Sequence, residues 1–344
     1  MGTIYDHSIV GRSRAEHLDW LKGFGILLMI ISHTGLATSL GINILINAFY
    51  MPMFFFVSGY FLHVEKYSFS TFFVRKVKGL IIPYAIWGII HLVIWMGMYK
   101  LNISTLSESP RTMVIGLLWN NNVHLPIAGA LWFLSCLFFV SIIAFFIIKR
   151  FGSKVYLICS IVIGITGVYF HPFLPWSLDS AMVANLMFAA GYHYAHHESA
   201  EKSKSAFLTV VTVLISIALF HLGAWKNGFT NIRECNYGLI PILYIFISLT
   251  GILLWWLVAT LLYQAPKQLN LLRQPVAWIG KYSMPFLCLN QLVIAILSRI
   301  LPATLASLLL QSLVTIIAIS IFVKAISIID KKMQWKLYST LFGR

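Results

Sequence analysis

Charged residues are scarce in this chain: they make up 10% of its 344 residues, and only 10 residues are acidic. A soluble domain carries about 25% charged residues, so this chain has too few to cover a water-exposed globule. With 59% hydrophobic residues and a mean hydropathy of +0.85, the composition predicts a polytopic membrane protein. The apolar stretches are long and continuous, which favours helices over the alternating ~10-residue strands of a membrane barrel.

Cysteine is also rare, with four residues in the chain and no CxxC pair among them. Most of them lie within apolar stretches, so we interpret them as small core residues. They are Cys136, Cys159, Cys235 and Cys288. Histidines cluster at 193–197, but they lie beside acidic residues and fit a solvated helix end. The sequence therefore predicts no metal site.

Basic residues outnumber acidic ones by 25 to 10, which gives a formal net charge of +15. Their positions argue against nucleic-acid binding, because they fall in loops between apolar spans. We predict about ten transmembrane helices, with ends placed to within several residues. The predicted spans are roughly 20–40, 43–63, 80–99, 129–148, 155–170, 181–197, 205–225, 238–263, 276–298 and 303–329.

The distribution of the basic residues predicts the orientation of these spans. With the N-terminus inside, only five of the 25 basic residues fall in outer segments, and the other 20 fall in inner ones. The outer five are Lys100, Arg111, Lys226, Arg233 and Arg299. This asymmetry follows the positive-inside rule. We therefore expect an all-α, polytopic membrane helix bundle with both termini in the cytoplasm.

No linker, low-complexity tract or internal repeat divides the chain, so we expect a single integral-membrane domain over residues 1–344. Residues 1–19 then form a cytoplasmic N-terminal segment, and residues 330–344 form a cytoplasmic tail. The first apolar span is about 20 residues long, which exceeds the apolar core of a signal peptide. We expect it to remain as an uncleaved first membrane helix.

Two ionisable residues in this first span are the strongest functional signal in the sequence. Lys22 and His33 are eleven residues apart, so on a helix they share one face and lie ~16 Å apart along the axis. Ionisable groups within a bilayer are costly and are functional candidates by default. Each also has a structural alternative: His33 can hydrogen-bond a neighbouring helix, and Lys22 can extend to the inner interface.

Four blocks of the chain, in their order and spacing, resemble the acyltransferase-3 family of integral membrane acyltransferases, in particular its fucose 4-O-acetylase-like branch. The blocks are Lys22 to His33, YMPMFFFVSGYF at 50–61, RKVKGLIIPY at 75–84 and GALWFLSCLF at 129–138. A later run, GKYSMPFLCLNQ at 280–291, fits as well, so the resemblance covers essentially the whole chain. The family usually has Arg in place of Lys22 and commonly has His in place of Asn290, to which we assign no role.

The resemblance implies a multi-pass O-acyltransferase of the bacterial cytoplasmic (inner) membrane. Such an enzyme moves an acetyl or similar acyl group from cytoplasmic acyl-CoA to a sugar hydroxyl of a cell-surface glycan or its lipid-linked precursor. His33 is then the catalytic residue, either as general base or as the site of a covalent acyl intermediate. The expected partners are acetyl-CoA as co-substrate, the saccharide acceptor and membrane lipids, with no metal and no nucleic acid.

The same resemblance assigns donor binding to the inner face. Acetyl-CoA has a phosphate-rich head, for which Lys22, Arg75 and Lys78 are the candidate cations. For Arg75 and Lys78, a role as topology determinants on an anionic membrane surface stays open.

Three further residues are expected to support donor binding. Asp19 lies one turn before Lys22 and is expected to orient it through an i,i+3 contact. Ser58 and Gly59 form a small pair near the inner end of the second span, where the backbone can approach a ligand closely.

A second class of function also stays open, a transporter or flippase that exports a glycan or lipid-linked sugar. A lysine and a histidine within the membrane can serve proton coupling. Against this class, the sequence has no inverted repeat and no paired Gly/Pro-broken helices. The sequence does not identify the acceptor, the acyl group or the oligomeric state.

Overall fold

The computed structural model describes residues 7–102, 108–125, 127, 129–170, 174–197, 206–264, 267–333 and 336–343. Parts of four predicted segments lie outside the described residues. They are residues 1–6 of the N-terminal segment, residues 103–107, 126 and 128 of an outer loop, residue 205 of the predicted span 205–225, and residues 334–335 and 344 of the C-terminal tail.

Over the described residues the chain is helical and forms no β strand, which confirms the expected all-α class. The helices are α1 (His7–His33), α2 (Leu36–Ser39), α3 (Asn43–Tyr60), α4 (Phe69–Lys76), α5 (Ile82–Lys100), α6 (Pro110–Leu118), α7 (Trp132–Phe151), α8 (Ser153–Tyr169), α9 (Leu178–His197), α10 (Ala206–Asn227), α11 (Pro241–Gln264), α12 (Asn270–Lys281), α13 (Ser283–Leu297), α14 (Leu305–Met333) and α15 (Leu337–Phe342). A π-helical segment, Val77–Ile81, joins α4 to α5.

Four stretches in the described part of the chain are helical, long and apolar enough to cross a membrane. They are Phe69–Lys100, Gly129–Phe151, Pro241–Gln264 and Leu305–Met333, and the bent pair Arg273–Lys281 and Ser283–Leu297 is a fifth if it counts as one span. The remaining predicted spans coincide with helices that are shorter or carry more polar residues. The full set of about ten spans stays a prediction.

Helix α3 lies near the centre of the bundle, in contact with α1, α9, α10 and α11. Most of its side chains are buried, because neighbouring helices pack against it on several sides. Its contact with α9 is unusually close: a Cβ atom at Gly59 would collide with the carbonyl oxygen of Phe188, and one at Gly191 with that of Phe56. Small residues at such contacts let membrane helices approach backbone to backbone.

Helix α1 makes a similar contact with α12. A Cβ atom at Gly23 would collide with the carbonyl oxygen of Val276, and one at Gly280 with that of Asp19. Two glycines on facing helices therefore hold the middle of α1 directly against the α12 backbone. This contact fixes the position of Lys22, which lies between the two α1 residues involved.

Two predicted spans are not continuous helices. The span at 20–40 ends as α1 at His33, because Gly35 adopts a left-handed conformation with φ of 82° before the short helix α2. The span at 276–298 bends by 88° between α12 and α13. Pro285 lies at the start of α13, where its missing N–H costs no helical hydrogen bond. The bend directs α13 toward the end of α1.

Candidate active site

The end of α1 meets α13 through one side-chain contact. Nδ1 of His33 lies 2.6 Å from Oδ1 of Asn290, a residue 257 positions away in sequence. Asn290 is fully buried, whereas His33 is partly accessible. The contact lies where α1 ends and where α13 follows the bend after α12.

The hydrogen bonds of Asn290 define the tautomer of His33. The Nδ2 group of Asn290 donates to the carbonyl oxygens of Phe286, at 2.7 Å, and Leu287, at 2.9 Å. The remaining amide atom, Oδ1, is only an acceptor, so Nδ1 of His33 is the donor in this pair. In neutral His33 the proton therefore lies on Nδ1, and Nε2 carries the lone pair that a general base needs.

His33 lines a cavity of ≈ 290 Å³, which we call the outer cavity because the predicted topology places it on the outer side. Its walls come from the C-terminal end of α1, the N-terminal half of α3, the middle of α13, the turn at Gly129–Leu131 and the loop at 229–233. Its polar lining consists of Ser32, His33, Thr38, Asn43, Asn47, Tyr50, Asn231, Arg233 and Gln291. Amides and hydroxyls in a small concave site suit a ligand with several hydroxyl groups.

One cation, Arg233, faces this cavity from the loop between α10 and α11. Its guanidinium donates to the carbonyl oxygen of Val123 at 3.3 Å. A Cβ atom at Gly129 would collide with the same guanidinium, so the missing side chain at that position leaves room for it. Burial lowers the pKa of Arg233, and the nearby carboxylate of Glu234 opposes that shift.

Near the middle of α1, about three helical turns before His33, a pocket of ≈ 450 Å³ collects basic side chains. We call it the basic pocket; its basic residues are Lys22, Lys66, Arg75 and Lys76, and His63 also lines it. Nζ of Lys22 lies 2.7 Å from Oδ1 of Asp19, so the expected i,i+3 contact is present. The basic pocket therefore offers several positive charges to an anionic ligand.

An adjoining pocket of ≈ 420 Å³ shares Arg75 with the basic pocket and adds Lys78, Ser339 and Thr340. Lys78 lies in the π-helical segment, which precedes Pro83. Because Pro83 has no N–H and its ring crowds the carbonyl four residues earlier, regular α-helical bonding fails there. π-helical segments of this kind often accompany functional sites.

The residues predicted to bind acetyl-CoA therefore lie in three different places. Lys22, Ser58 and Arg75 line the basic pocket, and Lys78 lines the adjoining one. Ser58 donates its hydroxyl hydrogen to the carbonyl oxygen of Phe54 at 2.7 Å. Gly59 contacts the backbone of α9. A ligand role for Gly59 stays a prediction.

The sequence predicts no functional role for Asn290, which contacts His33, or for Arg233, which lines the outer cavity. Asn290 was noted only as a departure from the family pattern, although that position is polar within an apolar helix. Arg233 was counted as one of the five outer basic residues. The unusual polarity of an otherwise apolar helix was the signal available for Asn290, and no sequence signal distinguishes Arg233 from the other four outer cations.

The histidine cluster has ordinary partners. Nε2 of His193 lies 3.1 Å from the carbonyl oxygen of Ser153, and Nδ1 of His196 lies 2.8 Å from that of Tyr192. No group of three or more His, Cys, Asp or Glu residues able to hold a metal ion occurs in the ranges that the structure describes.

The fold and site define an all-α, multi-pass membrane protein with a basic pocket and a histidine-lined polar cavity about three turns apart along one helix. A family model described as an acyltransferase domain matches residues 16–329. The chain therefore belongs to the acyltransferase-3 family and is a membrane acyltransferase. No curated protein and no solved structure matches it.

Proposed function

We propose that the protein is an O-acyltransferase that moves an acetyl group from cytoplasmic acetyl-CoA to a sugar hydroxyl on the outer side of the membrane. The observation that carries the proposal is the oriented His33 in a polar cavity, about three helical turns along α1 from Lys22 in the basic pocket. The two sites correspond to the two substrates, an anionic acyl donor and a hydroxylated acceptor.

The basic pocket is the proposed site for the head of acetyl-CoA. Lys22 and Arg75 provide charge-assisted hydrogen bonds to phosphate, which are about twice as strong as neutral ones. Lys22 is already held by Asp19, so less side-chain freedom is lost when it binds a phosphate. Lys78 extends the positive surface into the adjoining pocket.

His33 is the proposed catalytic residue. Its Nε2 takes the proton of the acceptor hydroxyl while the hydroxyl oxygen attacks the thioester carbonyl carbon. A C–O bond forms, the C–S bond breaks, and the CoA thiolate leaves and takes up a proton. General-base assistance of this type typically contributes ~10²–10⁴-fold. A two-step route through an acyl-histidine uses the same nitrogen as nucleophile.

Several finer assignments belong to this proposal and rest on the block resemblance and the charge distribution. They are the fucose 4-O-acetylase-like branch, the acetyl donor, a cell-surface glycan or lipid-linked acceptor, the bacterial inner membrane and the cytoplasmic position of both termini. The alternative of a glycan transporter or flippase gains no support from the family match, which is to an acyltransferase domain.

The test is NMR of the surface polysaccharide from host cells that lack the gene or carry it as wild type, His33→Ala or His33→Gln. We expect an O-acetyl signal only with the wild type, because an amide at position 33 forms hydrogen bonds but takes up no proton at neutral pH. His221→Gln is the matched control, since His221 lies on α10 away from the cavity and bonds only its own helix within the described residues.

Donor binding separates a catalytic defect from a folding defect. Purified His33→Gln protein should bind acetyl-CoA with wild-type affinity in calorimetry, because position 33 lies three helical turns from the basic pocket. Wild-type levels of O-acetyl groups in cells with His33→Gln would mean that His33 only holds α13 against α1. Absence of O-acetyl groups with the wild-type protein would contradict the proposed reaction itself.

A further inference from the structure

Among the residues that the structure describes, the lining of the outer cavity carries a positive charge and no negative one. It includes Arg233 and neither Asp nor Glu. The acidic neighbour in sequence, Glu234, is exposed and does not line the cavity. A cation in a partly buried site is costly unless something pairs with it.

Arg233 also keeps unused hydrogen-bonding capacity. A guanidinium has five N–H donors, and in the described part of the chain that of Arg233 makes one hydrogen bond, to Val123. Its Nε is buried and has no partner there. No carboxylate of a described residue lies within salt-bridge distance of it. The planar edge of Arg233 is thus suited to a ligand with two acceptor oxygens.

We propose that the acceptor saccharide carries an anionic oxygen group, a carboxylate or a phosphate, which Arg233 binds beside the hydroxyl that is acylated. The proposal rests on the proposed function and deepens it by naming the class of acceptor. Because Arg233 and His33 line one small cavity, the anionic group and the reacting hydroxyl belong to the same sugar residue or to directly linked groups.

The other polar groups of the cavity fit the uncharged part of such a sugar. Oε1 of Gln291 accepts from the backbone N–H of Ala130 at 3.2 Å, which turns its amide donors to the site. Nδ2 of Asn47 donates to the backbone carbonyl of Asn43 at 2.9 Å, which leaves Oδ1 of Asn47 as an acceptor for a ligand hydroxyl. The volume of ≈ 290 Å³ lies at the small end of the range for ligand pockets, about 300–1,000 Å³, which suits one sugar residue.

The test compares three probes that differ in charge: methyl β-D-glucuronoside, methyl β-D-glucoside 6-phosphate and methyl β-D-glucoside. Their binding to the full-length protein in nanodiscs is measured by saturation-transfer NMR without acetyl-CoA. We expect at least one charged probe to bind about tenfold or more tightly than the neutral one, as a charge-assisted contact provides. The more tightly bound of the two charged probes identifies carboxylate or phosphate as the recognised group.

Variants of Arg233 test whether this residue causes the preference for charged probes. Arg233→Gln should remove it, whereas Arg233→Lys should keep part of it, because lysine retains the charge without the planar fork. Lys226→Gln is the matched control: it removes an exposed basic residue of the same outer segment that does not line the cavity. It should leave the preference unchanged.

Three results would overturn the inference. One is equal affinity for all probes, or no binding of any, in the wild type. Another is a preference that persists in Arg233→Gln. The third is unchanged probe binding in Arg233→Gln together with a lower acyl-transfer rate, which would assign Arg233 to the developing oxyanion of the thioester. Probe binding is measured without acetyl-CoA. The result of this test is therefore independent of whether the protein transfers acetyl groups in cells.

Discussion

Replacing Asn290 by Leu should lower the rate of acyl transfer without changing donor binding. The substitution removes the oxygen that accepts the hydrogen bond from Nδ1 of His33 and keeps a side chain of similar size. Two carbonyl oxygens, of Phe286 and Leu287, lose a donor as well, but both belong to α13 and can keep their helical hydrogen bonds. The main consequence is that neutral His33 is no longer held with its proton on Nδ1.

The size of the effect follows from the cost of a lost partner. Leaving a buried hydrogen-bond donor without a partner costs about 1–3 kcal/mol. About 1.36 kcal/mol corresponds to a tenfold change in rate. We therefore expect kcat to fall about 5- to 150-fold. The loss should be smaller than in His33→Gln, because the imidazole is still present in Asn290→Leu and can still take up a proton in part of the molecules.

The assay is acyl transfer by purified protein, with kcat and the KM for acetyl-CoA measured separately. The value of kcat is normalised to the number of acetyl-CoA binding sites. Asn185→Leu is the matched control, since Asn185 is a buried asparagine of α9 that bonds Tyr156 and Ser160 and does not line the cavity. It should reduce the yield of folded protein more than kcat. Asn290→His should recover part of the rate, because imidazole also offers an acceptor nitrogen. A kcat within about twofold of wild type in Asn290→Leu would refute the positioning role.

Two further predictions test the acetyl-CoA site and the orientation. Lys22→Ala and Arg75→Ala should each weaken acetyl-CoA binding in calorimetry by about 1.5–3 kcal/mol, the value of a hydrogen bond to a charged group. The control Lys226→Ala should not weaken it. Unchanged affinity in both Lys22→Ala and Arg75→Ala would leave these cations with a topological role only. Reporter fusions after residue 344 should report a cytoplasmic position, and fusions within 226–237 an outer one; the reverse result at either place would contradict the positive-inside assignment.

The helical class and the placement of Lys22 and His33 on one face of α1 could be read from the sequence because both depend on local patterns. Continuous apolar runs with charges between them predict membrane helices, and a spacing of eleven residues puts Lys22 and His33 on one face of any regular helix. The contact of Lys22 with Asp19 is local for the same reason. These features need no knowledge of how the helices pack.

The end of α1 was harder to predict, because hydropathy continues past it. Apolar residues follow Gly35, yet this glycine takes a positive φ and ends the helix. The partner of His33 was missed because 257 residues separate it from Asn290 and the contact requires the 88° bend before α13. Gly59 illustrates a different limit: a glycine in a helix signals close approach, but the sequence does not say whether the neighbour is a ligand or another helix.

The missing side chain at Gly129 has a consequence for how related chains are compared. A methyl group there would meet the guanidinium of Arg233, so Gly129→Ala would push the arginine away from the cavity while leaving it in the sequence. On the proposed role of Arg233, two relatives that share the arginine but differ at position 129 would align at the charged residue and still accept different sugars. The pair of positions would then predict the substrate class better than the arginine alone.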